Sequence, residues 1–470
     1  MEDRASEAKA TLSSVGLSNI IRCVDAQDKS NVDLTCEVLK VCFEKFDVGH
    51  VVKQFIAHIM FLLRHEQDCV RRLAIEEVYK SVTTDLSLLP VPQYIDLFVA
   101  ISQMVCDQDV GIANKAVLIT SNLPFEAYPK VLEEMKIALD HNSSSKCNAY
   151  EVAINISLKS PELFKLCVDY GYIEHMVLEL DTSDVLYQLN ILELLSRLAM
   201  KLYGIQYLVK GGDLKRISTL MADLDKNPLG SLLVPGYMKF FGSMAHYCPK
   251  EILEKYPVSL NLVFNAIDSD DQAILLVALD TLGFIGKTTE GKLCLAAVGS
   301  KFIGAVEKIG TFIKNSPTEV KVRAAQCFTS LISVEMDAKD NGPVDHRVTL
   351  MTREWFRTIN KEAGATETLF DMCKNPFPDI KLAGFNLLDA VCQHLWGEQE
   401  VARVAGFVEY LLDRTVSDSK EGKEAKYNII KRLSQSPAFD DNIQARLQQY
   451  IEEGPFYIDG DMDVILGNGE

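Results

Sequence analysis

The sequence predicts an all-α chain built as a solenoid, and three observations carry that prediction. Apolar residues recur at helical spacing nearly throughout, with no sustained apolar–polar alternation that would mark strands. An acid or small polar residue repeatedly opens a strongly apolar segment. A glycine followed by another apolar segment recurs behind those openings.

The clearest openings are Asp109-Val-Gly-Ile, Asp184-Val-Leu-Tyr, Asp271-Gln-Ala-Ile, Glu319-Val-Lys-Val and Asp379-Ile-Lys-Leu. Each places an apolar residue three positions on: Ile112, Tyr187, Ile274, Val322 and Leu382. An acid at a helix start meets the unsatisfied amides and the positive end of the helix dipole. The apolar residues that follow cover more than one face, as a helix packed between neighbours requires. The starts advance by 75 residues (Asp109 to Asp184, with a related segment near Lys146), then 87, 48 and 60. Halving the first two intervals gives roughly 37 to 44 residues per unit, the period of armadillo and HEAT repeats. Weaker copies begin near Asp33, Asp68, Ser231 and Lys420.

Gly171, Gly212, Gly299 and Gly406 each precede an apolar helix, where glycine tolerates the left-handed conformation of a helix end. Ser160-Pro161, Ser316-Pro317 and Ser436-Pro437 read as an N-cap followed by a first-turn proline. Together these features predict a right-handed α-solenoid of about ten armadillo/HEAT-type repeats over residues 1–450. Two stretches depart from the pattern. Residues 336–348 are polar and contain Asn341-Gly342-Pro343, which predicts an inserted loop. Residues 451–470 read as an acidic C-terminal tail, with six acids and no base from Glu452 to Glu470.

Length alone, at 470 residues, would suggest about three domains, but repeat proteins lengthen without closing a new core. The formal net charge is -18, which repels phosphate backbones and argues against a nucleic-acid partner. The middle differs: Lys201 to Leu260 holds eight Lys/Arg against five Asp/Glu. The first ten residues are charged and lack the apolar core of a secretory signal, and no uncharged apolar run reaches eighteen residues. A cytoplasmic chain, with the nucleus as a second compartment and no membrane partner, is expected. The twelve cysteines form no CxxC pair and most lie in apolar helical runs, which predicts buried reduced thiols rather than a zinc site.

No catalytic constellation emerges. Gly283-Phe-Ile-Gly286-Lys287-Thr288 hints at a phosphate loop, but only two residues separate its glycines and a helix precedes it, so it reads as a helix terminus. His58 and His65 lie seven apart with no HExxH, and there is no GxSxG elbow. Neither enzyme activity nor a cofactor is expected. What remains is the inner surface of a solenoid, a groove on the order of 100 Å for about ten repeats stacked at roughly 10 Å. The basic, aromatic middle supplies the candidate partner contacts: Tyr237, Lys239, Phe240, Phe241 and His246, with Asp280 and Phe284 in the next repeat. Each aromatic also fits inter-repeat core, and Lys239 is the residue least suited to it.

A set of strings running in order across residues 230–457 carries a family resemblance. It includes Val234-Pro235-Gly236-Tyr237-Met238-Lys239-Phe240-Phe241-Gly242, Glu254-Lys255-Tyr256-Pro257, Ala278-Leu279-Asp280-Thr281-Leu282-Gly283 and Thr352-Arg353-Glu354-Trp355-Phe356. Pro376-Phe377-Pro378, Gly406-Phe407-Val408-Glu409-Tyr410, Lys423-Glu424-Ala425-Lys426-Tyr427 and Glu453-Gly454-Pro455-Phe456-Tyr457 follow. This set resembles the family of 26S proteasome non-ATPase regulatory subunit 5. The resemblance implies an assembly chaperone of the proteasome regulatory-particle base. Such a protein binds the C-terminal domain of an AAA ATPase subunit, together with associated base subunits, and is absent from the mature particle. The chain is expected to be monomeric when alone. The alternative is an importin-like armadillo adaptor, or another scaffold that takes a peptide or protein in its concave groove. That class resembles a ladder of Trp and Asn on successive inner helices, whereas this chain has only Trp355 and Trp396.

Overall fold

The computed structural model describes residues 16–457 apart from 26–27, 126, 335–344, 363 and 416–418. Among the described residues the regular elements are helices, with no strand. They form an all-α solenoid that divides into two compact units, Met1–Asp213 and Leu214–Glu470.

In the first unit, five helices pack in succession, each against the next. They are α1 (Lys29–Phe43), α2 (Asp68–Thr84), α3 (Val110–Ser121), α4 (Ser143–Ser157) and α5 (Val185–Leu198). The second unit repeats the arrangement with α6 (Gly230–Tyr247), α7 (Gln272–Ile285), α8 (Thr318–Ile332), α9 (Pro378–Val391) and α10 (Lys420–Leu433). Two further helices separate each of these from the next in the second unit, for example Thr289–Ala297 and Ser300–Asn315 between α7 and α8. Three helices per unit is the armadillo form of the repeat. Every weak sequence copy (Asp33, Asp68, Lys146, Ser231, Lys420) falls on one of these ladder helices.

One burial code recurs from α2 onward, with Ile274 of α7 and Tyr427 of α10 only half-buried; α1 does not follow it, since Asn31 and Val38 are exposed. Counted from the first residue, positions three, seven, eight, ten and eleven are buried. In α5 these are Tyr187, Ile191, Leu192, Leu194 and Leu195. In α8 they are Val320, Ala324, Ala325, Cys327 and Phe328, and in α9 Ile380, Gly384, Phe385, Leu387 and Leu388. Two adjacent pairs per two turns give a stripe wide enough to touch the preceding and the following ladder helix at once. Gly283 lets α7 and α8 approach closely: a Cβ there would lie 3.1 Å from the Cys327 Cα.

The predicted starts hold with a distinction. Asp109, Asp184 and Asp271 are true N-caps, accepting from Ile112 N (2.9 Å), Tyr187 N (3.1 Å) and Ala273 N (2.9 Å). Glu319 and Asp379 instead lie inside the first turn, behind Pro317 and Phe377. Gly171, Gly212, Gly299 and Gly406 all take positive φ. Of the Ser-Pro pairs only Ser160 caps as expected, its hydroxyl accepting from Leu163 N at 3.2 Å. Pro317 is itself the cap residue of α8, and Ser436 is buried in a turn, where its hydroxyl donates to Glu398 at 2.7 Å. The expected 336–348 loop is shorter than its composition suggests, because a helix begins at His346, capped by Asp345. Residues 335–344, and the expected tail from 458 onward, lie outside the described residues. Gly286 is the C-cap of α7 and Thr288 caps the next helix, so the phosphate-loop look-alike is a helix terminus.

Candidate protein-binding face

From α2 onward, position nine of the ladder helices lies between positions eight and ten of that code and points out of the packing; on α1, which does not follow the code, the ninth residue is also exposed. In the first unit it is Glu37, Glu76, Leu118, Glu151 and Glu193. In the second it is Asp280, Gln326, Asn386 and Asn428 on α7 to α10. Helix α6 is offset by one residue, since its buried set is Leu233, Tyr237, Met238, Phe240 and Phe241. Lys239 therefore takes the equivalent place on α6 and is exposed. Each unit thus presents one side chain per repeat in a row along its ladder.

Ion pairs lace neighbouring ladder helices, in four cases with the acid on the earlier helix and the base on the later one, while Arg72 of α2 reverses the order by pairing with Asp109, the cap of α3. Glu76 pairs with Lys115, and Glu151 with Arg197 at 3.8 Å. Asp280 pairs with Arg323 at 2.9 Å and Asp389 with Arg432 at 3.1 Å. Partly exposed pairs of this kind contribute about 0.2–1 kcal/mol each. At that size they are register marks along the ladder more than a source of stability.

The candidate contacts separate cleanly. Lys239 and Asp280 lie on the exposed row. Tyr237, Phe240 and Phe241 do not reach the surface: their exposures are 0%, 0% and 2%, and the two phenylalanine rings meet edge to face at 5.1 Å. They occupy code positions of α6, so they are inter-repeat core and leave no area for a partner. His246 and Phe284 are half-buried and bind α6 to α7. Their rings stack at 3.9 Å, and His246 Nδ1 donates to the Phe284 carbonyl at 2.7 Å. Sequence reasoning missed Gln326, Asn386 and Asn428. The signal was present, because aligning the acid-opened segments brings these residues into one column, but nothing in any single segment marks that column as exposed.

Cavities lie along both units. One of about 640 Å³ is lined by α8, α9 and α10, including Gln326, Asn386 and Asn428. One of about 610 Å³ in the first unit is lined by α1, α2 and α3, with Glu37, Glu76 and Lys115 among its walls. A third, of about 560 Å³, lies among Arg353, Arg357, Trp396, Glu400 and Arg403. Three guanidiniums there share one carboxylate, Glu400. Among the described residues no group of His, Cys, Asp and Glu is arranged to hold a metal ion.

Several thiols are unsuited to nucleophilic work. Burial, with Cys69 and Asp33 alongside, pushes Cys36 up to about 12, and burial pushes Cys147 and Cys167 to about 11. A thiol is reactive as its thiolate, so these groups are protonated and inert at neutral pH. Two lysines are buried because their ammonium groups serve backbone carbonyls. Lys292 Nζ donates to Gly286 O (2.7 Å), Lys287 O (3.1 Å) and Ser330 O (3.2 Å), joining the ends of α7 and α8. Lys426 Nζ donates to Asp413 O at 2.7 Å. No described helix is long and apolar enough to cross a membrane.

A helical-repeat chain whose recurrent feature is an exposed row along each ladder belongs to the class of α-solenoid proteins that offer extended surfaces. The profile of the family described as "Proteasome non-ATPase 26S subunit" matches residues 2–468, and the chain belongs to that family. Among its relatives is 26S proteasome non-ATPase regulatory subunit 5 of Bos taurus. It is 27% identical over 467 residues, which cover 96% of this chain and 91% of the relative. The protein of the same description from Homo sapiens is 27% identical over 466 residues, with the same coverage. That from Drosophila melanogaster is 29% identical over 443 residues, covering 92% of this chain and 85% of its own.

Proposed function

We propose that this protein is an assembly chaperone of the 26S proteasome regulatory-particle base. It binds the C-terminal domain of an AAA ATPase subunit, holds that subunit and its associated base subunits in an assembly intermediate, and departs before the mature particle forms. It does so without catalysis and without a cofactor, as a monomer in the cytoplasm, with the nucleus as a second compartment. The observation that supports this reading most is the match to a proteasome-subunit family across nearly the whole chain. The exposed ladder rows add the physical means, since a rigid surface repeated along a solenoid can hold a folded domain.

The experiment is reconstitution. Each base ATPase C-terminal domain is purified and mixed with this protein, and the mixture is followed by size-exclusion chromatography with light scattering. One domain is expected to form a one-to-one complex, and purified mature 26S particles are expected to contain none of this protein. If no ATPase domain forms a complex, the proposal is wrong.

A further inference from the structure

The row on the second unit ends in three consecutive amides: Gln326 on α8, Asn386 on α9 and Asn428 on α10. All three are exposed, all three line the cavity of about 640 Å³, and none makes a hydrogen bond to another described residue. We propose that this amide row is a binding site for an extended polypeptide segment of a partner, held through its backbone and favoured when its side chains are basic.

A primary amide carries a carbonyl acceptor beside an NH2 donor, the complement of a peptide backbone's N–H and C=O. One such side chain can take a backbone unit in two hydrogen bonds without regard to the peptide's sequence. A helix or a paired strand has its backbone groups already engaged, whereas an extended polyproline II segment has none engaged internally. Spacing favours that conformation. Packed helices lie about 8–10 Å apart. A polyproline II segment repeats every three residues at about 3.1 Å per residue, so equivalent backbone groups recur about every 9 Å. Three amides on three neighbouring helices therefore meet about seven residues of such a segment in register.

Charge selects the side chains. The cavity wall contains Asp389, Glu421 and Glu424 and no Lys, Arg or His. Arg432 pairs with Asp389 and Lys420 with Glu424 at 3.9 Å, leaving Glu421 as the carboxylate unpaired among the described residues, which favours a basic segment. The tryptophan half of an importin-type ladder is missing, since Trp355 and Trp396 are 2% and 5% exposed and lie off the ladder helices. Recognition here rests on amides and carboxylates, without aromatic slots.

This inference rests on the reading of the second unit as a protein-holding surface, and its test keeps the two apart. The probe is a fluorescein-labelled twelve-residue peptide of Lys, Pro and Gln with one Lys in every three residues, followed by anisotropy on the full chain. A second probe replaces each Lys by Glu. The Lys probe is expected to bind at least tenfold more tightly than the Glu probe. The double variant Asn386→Ala/Asn428→Ala is expected to weaken the Lys probe at least tenfold with an unchanged melting temperature, since both side chains are exposed. Binding within twofold of wild type in that variant overturns the amide row, and equal binding of the two probes overturns the preference for basic segments. Glu421→Lys/Glu424→Lys checks the charge separately, with loss of the Lys probe expected and retained affinity counting against it. A protein that captures an ATPase domain but no probe refutes this site and leaves the chaperone reading standing. One that binds the probe through the amides but captures no ATPase domain does the reverse.

Discussion

Beyond α1, the two ladders share one packing code and differ in what they show to solvent. Position nine of the first unit is Glu37, Glu76, Leu118, Glu151 and Glu193, four carboxylates and a leucine. Its counterpart in the second unit is Lys239, Asp280, Gln326, Asn386 and Asn428, which passes from a cation through a paired acid to amides. The buried positions barely change in kind, because each must fill the gap between two helices. The exposed position is free of that demand and varies in charge and hydrogen-bonding capacity. Two carboxylates of the first row, Glu76 and Glu151, are paired with Lys115 and Arg197, and the other two leave it acidic, while a row of amides offers paired donors and acceptors at little electrostatic cost. Two units with the same architecture are therefore suited to different contacts.

The comparison predicts its largest effects in the shared code. Leu195→Ala in α5 and Phe328→Ala in α8 occupy the same buried position, eleven, in the two units. Each should lower stability by about 2–5 kcal/mol in urea titrations, through lost burial and the cavity left behind. A loss below about 1 kcal/mol in either would mean the code does not extend across both units. Lys239→Glu turns the one cation of the second row into a carboxylate like those of the first. Affinity for the ATPase domain should fall about tenfold, roughly 1.4 kcal/mol, while the melting temperature stays constant. Unchanged affinity would remove Lys239 from the contact surface.

A smaller effect separates the units by pH. Burial lowers the His394 pKa from its usual value, and its Nε2 donates to the Ile332 carbonyl at 2.8 Å. The unfolded chain takes up the proton near 6.5 and the folded chain only at lower pH. The contribution of neutral His394 is therefore complete above about 6.5 and is lost as pH falls through the folded value. Melting curves from pH 7.5 to 5.5 should show this decline, and His394→Gln should flatten it. An identical slope in the variant would assign the decline to other groups. The smallest expected effect belongs to the register marks. A double-mutant cycle on Asp280 and Arg323 should give a coupling below about 1 kcal/mol, because both side chains are about half exposed. A larger value would make these pairs part of what holds the ladder together.

Much of the fold was legible in the chain because helix starts are local. Asp109, Asp184 and Asp271 act on amides within three residues, so their role is visible without knowing the neighbours. The glycines at 171, 212, 299 and 406 report a local backbone requirement in the same way. Pro317 and Ser436 were misread for the opposite reason. A serine before a proline is compatible with a cap, but where the helix starts depends on packing further along: α8 begins one residue later than the pair suggests, and Ser436 is followed by a turn. The candidate site was half legible: Lys239 stood out as a charge among apolar residues, and Asp280 as an acid in a helix interior. Tyr237, Phe240 and Phe241 looked like contact residues because aromatics serve both interfaces and cores, and only their neighbours decide between the two.

The sequence by itself determined that this is a repeating helical chain, where most of its ladder helices begin and which kinds of residue fill them, since propensity, capping and periodicity act over a few residues. The tertiary structure alone decided which position of each helix faces outward, and so brought Gln326, Asn386 and Asn428, residues distant in sequence, onto one surface. Burial is a property of what packs against a side chain, and in a solenoid that neighbour lies a whole repeat away.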